Sequence, residues 1–380
     1  MDRAEVEHTP MKVLFTGGGT AGHVTPNVAL IEELHGDGIR CDYVGSKNGI
    51  ENEIISQLND SPAGSPQSKI AFHSIASGKL RRYFDWQNFT DPFRVILGFF
   101  QSLIICLKLR PDMVFSKGGF VAVPIVLAAR LLRIPVICHE SDVTPGLANK
   151  ICFPFAQRIC LNFYETRQYL SANNPAEKIV VTGTPIRRSL LQGNAAGGRQ
   201  ALGITDAKPI VLIFGGSLGS EVINQQVRRV LDKLTSQFTI VHVVGAGAID
   251  HQFISRQDYI QREYISEDFG DVLAASELVI SRAGANSIYE LLVVRKPHIL
   301  IPLSARASRG DQLVNARTFR DAGYSDVIEE ENLNDESFLQ AIEMAFANRE
   351  QRMIKLAEFA VHDSVSTITK LIKSAAAGEL

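Results

Sequence analysis

The chain has 380 residues, 39 Lys+Arg against 41 Asp+Glu, a formal net charge of −2 and 45% hydrophobic residues. At about 150 residues per domain this length predicts two domains, or three, with cores large enough to need neither disulfides nor metals. The near-neutral charge excludes bulk nucleic-acid binding, which needs a basic footprint, and the ordinary composition excludes disorder over most of the chain.

Residues 1–8 are polar and acidic and carry no apolar leader core. Residues 12–16 (KVLFT) read as a buried strand, followed by a glycine-rich turn and a helix over 26–35. Further strands are predicted over 41–44, 113–116, 135–139 and 178–182, with a helical pattern over 121–132. The nearly apolar stretch 95–107 contains Gln101 and Ser102, and it falls short of the roughly 20 apolar residues that span a bilayer. Apolar strands alternating with helices predict a parallel sheet covered on both faces. The pattern restarts with a strand over 209–214 (PIVLIF), a turn over 215–220 and a helix over 221–234. Strands over 238–243, 277–281 and 298–302 follow. Two strand–turn–helix openings, at Gly17 and Gly215, predict two doubly wound domains. The boundary is expected within 191–206, where residues 193–198 (GNAAGG) read as a linker. Cys41, Cys106, Cys138, Cys152 and Cys160 form no CxxC pair, and most sit in apolar runs, so they read as reduced, buried thiols of a cytosolic protein.

The first turn, Gly17-Gly18-Gly19-Thr20-Ala21-Gly22-His23, lets the backbone approach a ligand closely. The helix behind it offers free N–H groups and a positive dipole end to an anion. A tight connection without a ligand has the same appearance. The spacing departs from GxGxxG and no acidic residue closes the next strand, which disfavours a dinucleotide. His23, at the end of the first strand, can take a proton from a sugar hydroxyl as a neutral imidazole, or simply cap the helix. The second turn adds the Ser217 hydroxyl and suits a diphosphate. At the third, residues 281–290, Gly284 and Ala285 allow close approach. Glu290 there can accept two hydrogen bonds from a vicinal diol such as a ribose, or stand as a solvated helix glutamate. Arg306, Ser308, Arg309, Gln312 and Asn315 form a polar stretch suited to sugar and phosphate, with Asp311 as a helix cap. His139-Glu140-Ser141-Asp142 lacks further ligands at metal-binding spacing and reads as a hydrogen-bonding cluster.

Together these elements resemble the MurG family of bacterial glycosyltransferases, which form lipid II. The resemblance is carried by residues 17–26 (GGGTAGHVTP), 117–124 (KGGFVAVP), 139–150 (HESDVTPGLANK), 183–187 (GTPIR), 215–224 (GGSLGSEVIN), 281–290 (SRAGANSIYE) and 309–316 (RGDQLVNA), in order over most of the chain. The SKGGF, HESD and SRGDQ forms are similar to the version in some Gram-positive bacteria. The resemblance implies an α/β GT-B fold, two Rossmann-like doubly wound parallel-sheet domains facing a cleft. Residues 11–190 would form the acceptor and membrane side and 207–360 the UDP-sugar domain, with a helix in 361–380 packing back on the first domain. It implies inverting transfer of N-acetylglucosamine from UDP-N-acetylglucosamine to lipid I, the undecaprenyl-diphosphate-linked N-acetylmuramyl peptide. That is a step of peptidoglycan synthesis serving cell-wall biogenesis, shape and division, at the cytoplasmic face of the cell membrane. No cofactor, metal site or nucleic acid is implied, and other cell-wall synthesis proteins are candidate partners.

By motif match, Ser217 and its turn would hold the donor diphosphate and Glu290 the ribose. The backbone of Ile265, after Tyr264, would meet the uracil, Gln312 would contact the sugar, and Arg187 and Ala285 would line the donor site. Thr20, Ala21 and Gly22 would border the donor sugar and acceptor diphosphate, with His23 the candidate base. Two positions depart from the family. Ala21 stands where the turn commonly has glycine, adding a methyl group beside the acceptor diphosphate. Asp142 stands where the common HEQN has a substrate-binding asparagine, trading an amide donor for a charge. Residues 78–86 (GKLRRYFDW) mix basic and aromatic side chains, and Phe89, Phe93, Phe99, Phe100, Lys108 and Arg110 follow. Alone these read as core phenylalanines beside solvated charges; with a lipid-linked acceptor they read as a peripheral surface for anionic lipid. Competing readings are a transferase for another lipid, a GT-B epimerase acting on the UDP-sugar alone, an inactive nucleotide-sugar scaffold, and a hydride-transferring Rossmann enzyme.

Overall fold

The computed structural model describes residues 10–60, 69–78, 87–170, 174–216, 219–265, 268–305 and 310–380. They fall into two compact units. The first takes in residues up to 141, 145–185 and 362–380, and the second 142–144 and 186–361.

The first unit runs β1 (Lys12–Thr16), α1 (Ala21–Gly36), β2 (Arg40–Ser46), α2 (Ile50–Asp60), β3 (Ala71–Ile75), α3 (Gln87–Leu109), β4 (Met113–Ser116), α4 (Ala122–Leu131), β5 (Val136–Glu140), α5 (Leu147–Cys152), β6 (Arg158–Leu161) and β7 (Ile179–Val181). All seven strands pair in parallel in the order β3-β2-β1-β4-β5-β6-β7. Successive side chains of β1 serve opposite faces, as strand geometry requires. Val13 and Phe15 enter one core with Val28, Leu30 and Phe115, and Leu14 enters the other with Val114, Ile125 and Cys138. That two-sided burial is why the central strands read as unbroken apolar runs.

The second unit runs α6 (Arg188–Leu191), α7 (Ala195–Leu202), β8 (Ile210–Phe214), α8 (Glu221–Arg229), α9 (Leu231–Thr235), β9 (Thr239–Val243), β10 (Tyr259–Arg262), α10 (Phe269–Ala275), β11 (Leu278–Ser281), α11 (Ala285–Val293), β12 (His298–Leu300), α12 (Asp311–Asp321), β13 (Asp326–Val327), α13 (Asp335–Ala347) and α14 (Arg349–Leu356). Its six parallel strands are ordered β10-β9-β8-β11-β12-β13. The chain then returns to the first unit as α15 (Ser364–Ala376), whose Ile368, Ile372 and Ala375 join the core beneath α1.

Three expectations are corrected. The first helix starts at Ala21, not near Pro26: Thr20 is its extended N-cap, and Pro26 lies inside the second turn. Residues 193–198 are not a linker. Asn194 caps α7 by accepting from the amides of Ala196 and Gly197. Gly193 and Gly198 press on the backbone of Gly270 and Asp271, where a Cβ would come within 2.1 and 2.2 Å of carbonyl oxygens. The helix predicted over 221–234 is two, broken at Val230.

Candidate functional site

In a doubly wound sheet, ligands bind beyond the carboxyl ends of the strands where the winding reverses. In the first unit that point lies between β1 and β4, and each strand ends in a glycine turn. Gly19 has φ +88°, and Gly118 and Gly119 have φ +92° and +82°, which side-chain-bearing residues adopt only with strain. The two turns abut, since a Cβ on Gly119 would lie 2.3 Å from the Gly18 carbonyl oxygen. Thr20, Ala21, Gly22 and His23 follow as N-cap and first turn of α1. His23 Nδ1 lies 3.0 Å from the Gly18 carbonyl oxygen and 3.1 Å from Thr20 Oγ1. A carbonyl oxygen only accepts, so Nδ1 carries the proton and Nε2 keeps the lone pair.

Beneath this turn lies a residue that the sequence reading passed over. Glu51, on the first turn of α2, is wholly buried. Its Oε1 accepts from the Ser46 amide at 2.8 Å and the Ser46 hydroxyl at 2.5 Å, and its Oε2 from the Gly19 amide at 3.2 Å. The flanking Gly45 and Gly49 were the available signal, because a Cβ at either would overlap the Glu51 side chain.

Lys117, also buried, directly follows β4. Its ammonium donates to His139 Nδ1 at 2.7 Å, Ser141 Oγ at 2.6 Å and Thr184 Oγ1 at 3.3 Å. His139 Nε2 in turn donates to the Gly183 carbonyl at 2.9 Å. Burial first, and the Lys117 charge second, hold His139 well below the usual imidazole range, so it is neutral. Glu140 accepts from the amides of Ser141 and Gly146 and from Asn149 Nδ2. Of the hydrogen-bonding cluster expected at residues 139–142, His139, Glu140 and Ser141 are tied together by these bonds.

In the second unit β8 ends at Gly215 and Gly216, and Ser220 caps α8. Buried Arg282 braces this turn. It donates to Ser220 Oγ at 2.7 Å and to the Ile301 carbonyl at 3.1 Å, and it pairs with Glu330. Ser217 lies outside the described residues, as do Arg306, Ser308, Arg309 and most of the basic–aromatic stretch, residues 79–86. Past β11, Gly284 is the extended N-cap of α11, with nothing within 4 Å of where its Cβ would stand, and Ala285 behind it is buried. Glu290 lies in the second turn of α11. Burial pushes its carboxyl up to about 7, against the opposing pull of the exposed Arg187 guanidinium, which lies near enough for its charge to act on it. Ile265 and Tyr264 line a hollow of about 220 Å³ with Arg262 and Asp268. Gln312 Oε1 accepts from the Leu303 amide at 3.1 Å, which fixes its side chain at the end of β12. Asn315 is buried, not a surface contact: it accepts from the Val143 amide at 3.0 Å and donates to Asp142 Oδ1 at 2.9 Å and the Ala283 carbonyl at 3.2 Å. The carboxylate of Asp142 thus receives an amide from the chain itself. Among the described residues no three His, Cys, Asp or Glu side chains gather as a metal site would require.

The glycosyltransferase family 28 N-terminal domain matches residues 13–161, and the family's C-terminal domain matches 210–371. The UDP-N-acetylglucosamine–N-acetylmuramyl-(pentapeptide) pyrophosphoryl-undecaprenol N-acetylglucosamine transferase of Clostridium botulinum (strain Loch Maree / Type A3) is 49% identical over 362 residues, 95% of this chain and 98% of the relative. The enzyme of that name from Clostridium perfringens (strain SM101 / Type A) is 48% identical over 365 residues, 96% and 98% of the two chains. Among solved structures, MurG of Acinetobacter baumannii superposes with a TM-score of 0.72 at 23% identity, over 96% of this chain and all of the other. A UDP-N-acetylglucosamine 2-epimerase from Neisseria meningitidis, bound to UDP-N-acetylglucosamine, does so at 0.63 and 17% identity, over 97% of this chain and all of the other. At those identities the structures establish the fold, the GT-B pairing of two Rossmann-like parallel-sheet domains.

Proposed function

This chain belongs to glycosyltransferase family 28, and we propose the steps by which it moves N-acetylglucosamine from UDP-N-acetylglucosamine to the N-acetylmuramyl pentapeptide carried on undecaprenyl diphosphate. The chain is an N-acetylglucosaminyltransferase of peptidoglycan synthesis; the relatives of that name at 49% and 48% identity over nearly the whole chain carry this assignment.

The second unit takes the donor. Gly215, Gly216 and the N-terminus of α8 turn backbone N–H groups toward the UDP diphosphate. Glu290, as a carboxylate, accepts the ribose hydroxyls. Ile265 offers backbone to the uracil, while Gln312, Ala285 and Arg187 border the sugar. The first unit takes the acceptor, with Thr20, Ala21 and Gly22 against its diphosphate. The acceptor hydroxyl oxygen attacks the anomeric carbon as the bond to UDP breaks, inverting the configuration, and the hydroxyl proton passes to His23 Nε2. The observation that supports His23 as base is its bond from Nδ1 to the Gly18 carbonyl, which leaves the other ring nitrogen basic.

A lipid-linked acceptor requires the enzyme to reach a membrane, which we take to be the cell membrane's cytoplasmic face, and the exposed side of α3 supports docking on a membrane surface. Phe93, Ile96, Leu97, Phe100, Ile104 and Leu107 are exposed at helical spacing, with Arg94, Lys108 and Arg110 beside them. The opposite face is packed: a Cβ on Gly98 would lie 2.1 Å from the Ala76 carbonyl oxygen, and Ser102 and Cys106 are buried. Among the described residues no helix is long and apolar enough to cross a membrane, so this stripe would lie in the interface. The test is transfer of labelled N-acetylglucosamine to purified lipid I beside a lipid-free control. Label in lipid only when lipid I is present is expected. Conversion of the UDP-sugar without lipid would favour an epimerase instead.

A further inference from the structure

His23 and Glu51 never touch, yet one peptide group joins them. The carbonyl of Gly18 accepts from His23 Nδ1 at 3.0 Å, and the N–H of Gly19, the other end of that same amide, donates to Glu51 Oε2 at 3.2 Å. We propose that Glu51 is a positioning residue for His23, acting through the Gly18–Gly19 peptide as a carboxylate does when it sits directly behind a catalytic imidazole. This deepens the reading of His23 as the base and rests on it.

The physical case has three parts. First, the carboxylate is built in. Glu51 is wholly buried, its charge is met by three donors, and it stands at the positive end of α2. Three glycines give it room: a Cβ on Gly18, Gly45 or Gly49 would fall 2.6, 2.5 or 2.3 Å from its atoms. Second, an amide whose N–H donates to an anion is polarised, and its carbonyl becomes the stronger acceptor. When Nε2 takes the acceptor's proton, the ring turns cationic, and its Nδ1–H bond to the Gly18 oxygen gains most in that state. The proton on Nδ1 stays where it is; only the polarisation crosses the peptide. Third, the same bonds fix the ring and its tautomer, which is what an orienting carboxylate contributes.

Among the described residues, other charged and titratable groups border the turn. The buried Lys117 lies on its far side, with its Cβ 3.0 Å from where a Cβ on Gly17 would stand. From β2, Tyr43 donates its hydroxyl to the Gly17 carbonyl at 2.7 Å. The first turn of α1 holds no acid, and Lys373 of α15 pairs with Asp37 at the helix's opposite end.

The test uses the full chain and lipid I in detergent. Glu51→Gln, which keeps the shape and loses the charge, is expected to lower kcat by about 10- to 100-fold, part of what a general base contributes. It should leave the KM for UDP-N-acetylglucosamine within about twofold and move the acidic limb of the kcat profile, taken at saturating donor so that Glu290 does not contribute, to lower pH. A folded Glu51→Gln whose limb stays in place, whatever its kcat, overturns the proposal, since a scaffold role lowers activity without moving the limb. If Glu51→Gln does not fold, Ser46→Ala decides. It removes one donor from Oε1, leaves the carboxylate more available to Gly19, and should move the limb to higher pH; an unmoved limb overturns the proposal. His23→Ala in the same assay separates the two readings. Near-normal turnover there removes the base and this inference together. An inactive His23→Ala beside an unmoved Glu51→Gln limb removes only the inference.

Discussion

Serine at both Phe100 and Ile104 would test whether the apolar face of α3 meets lipid. These side chains are 56% and 52% exposed, so about half of each is already covered by the protein. Burying a phenylalanine or isoleucine fully is worth about 1.5–3 kcal/mol. The uncovered half leaves about 1 kcal/mol per residue to be gained on docking. Losing both costs about 2 kcal/mol, which at about 1.4 kcal/mol per tenfold lowers vesicle partitioning by about 30-fold. The assay is sedimentation with vesicles of phosphatidylglycerol and phosphatidylcholine. Raising the salt should weaken the wild-type interaction further, because Arg94, Lys108 and Arg110 each add about 1 kcal/mol near an anionic surface and are screened. The melting temperature should fall by a few degrees only, since the half of each side chain that the protein covers is worth about 1 kcal/mol. Turnover on a short-chain, detergent-soluble acceptor should hold too, while turnover on vesicle-embedded acceptor falls. Wild-type partitioning by the stable double variant would refute the assignment of this face to the membrane.

Four further outcomes follow from the geometry. His23→Ala should reduce kcat by about 100-fold or more with donor affinity nearly unchanged, measured by single-turnover transfer and isothermal titration. The Glu290 carboxyl, pushed up to about 7, must ionise to accept a ribose diol, so donor affinity should fall as pH drops from 8 to 6 and proton release should accompany binding. Its folded value lies above the ordinary 4.5, so the donor-free protein binds this proton more tightly folded than unfolded and loses stability as pH rises from 4.5 through 7. Glu290→Gln should remove both dependences and melt higher than the parent at pH 8; a pH-independent donor affinity in the parent would break this chain of reasoning. Gly119→Ala puts a methyl group 2.3 Å from the Gly18 carbonyl at φ +82°, and it should cost at least about 1 kcal/mol in denaturant melts and lower turnover as well. Burial lifts Cys106, Cys152 and Cys160 to about 12, so iodoacetamide at pH 8 should leave the native protein unlabelled and label five thiols in denaturant.

What was legible in the residues follows a physical line. β1 and β4 were placed to the residue, because a strand buried on both faces is a short apolar run between turn signals. β3, β6, β10 and β13 were missed. β3 (AFHSI) is a half-covered edge whose polar residues break the run, and β13 has two residues. Pro26 misled in a definite way. Proline favours the first position of a helix, but Thr20 is extended and the α1 helix begins at Ala21, so proline sits where its missing N–H forgoes a bond. The glycines at 193–198 show that composition alone is ambiguous: they read as a flexible linker, and they are also what close packing against α10 requires.

The candidate site divides the same way. The placement of His23 and Thr20 behind a glycine turn rests on the local backbone and could be read from the chain. Those whose role rests on a distant contact could not. An acid in the first turn of a helix is ordinarily a solvated partner of the helix dipole; Gly45 and Gly49 mark the room its side chain takes, but nothing within residues 45–51 points to the turn it reaches. Only Gly19, 32 residues earlier, makes the difference. Ala21 carries the reasoning one step further. Alanine exceeds glycine in helix propensity by about 1 kcal/mol, so the methyl group that departs from the family's glycine firms the turn that presents His23. The turn is held from below by a carboxylate and from behind by a helix-forming residue, so Ala21→Gly should loosen His23 while leaving the Glu51 bonds intact. Amide exchange at Gly22 and His23 would register that loosening, and unchanged protection there would assign the methyl group no part in it.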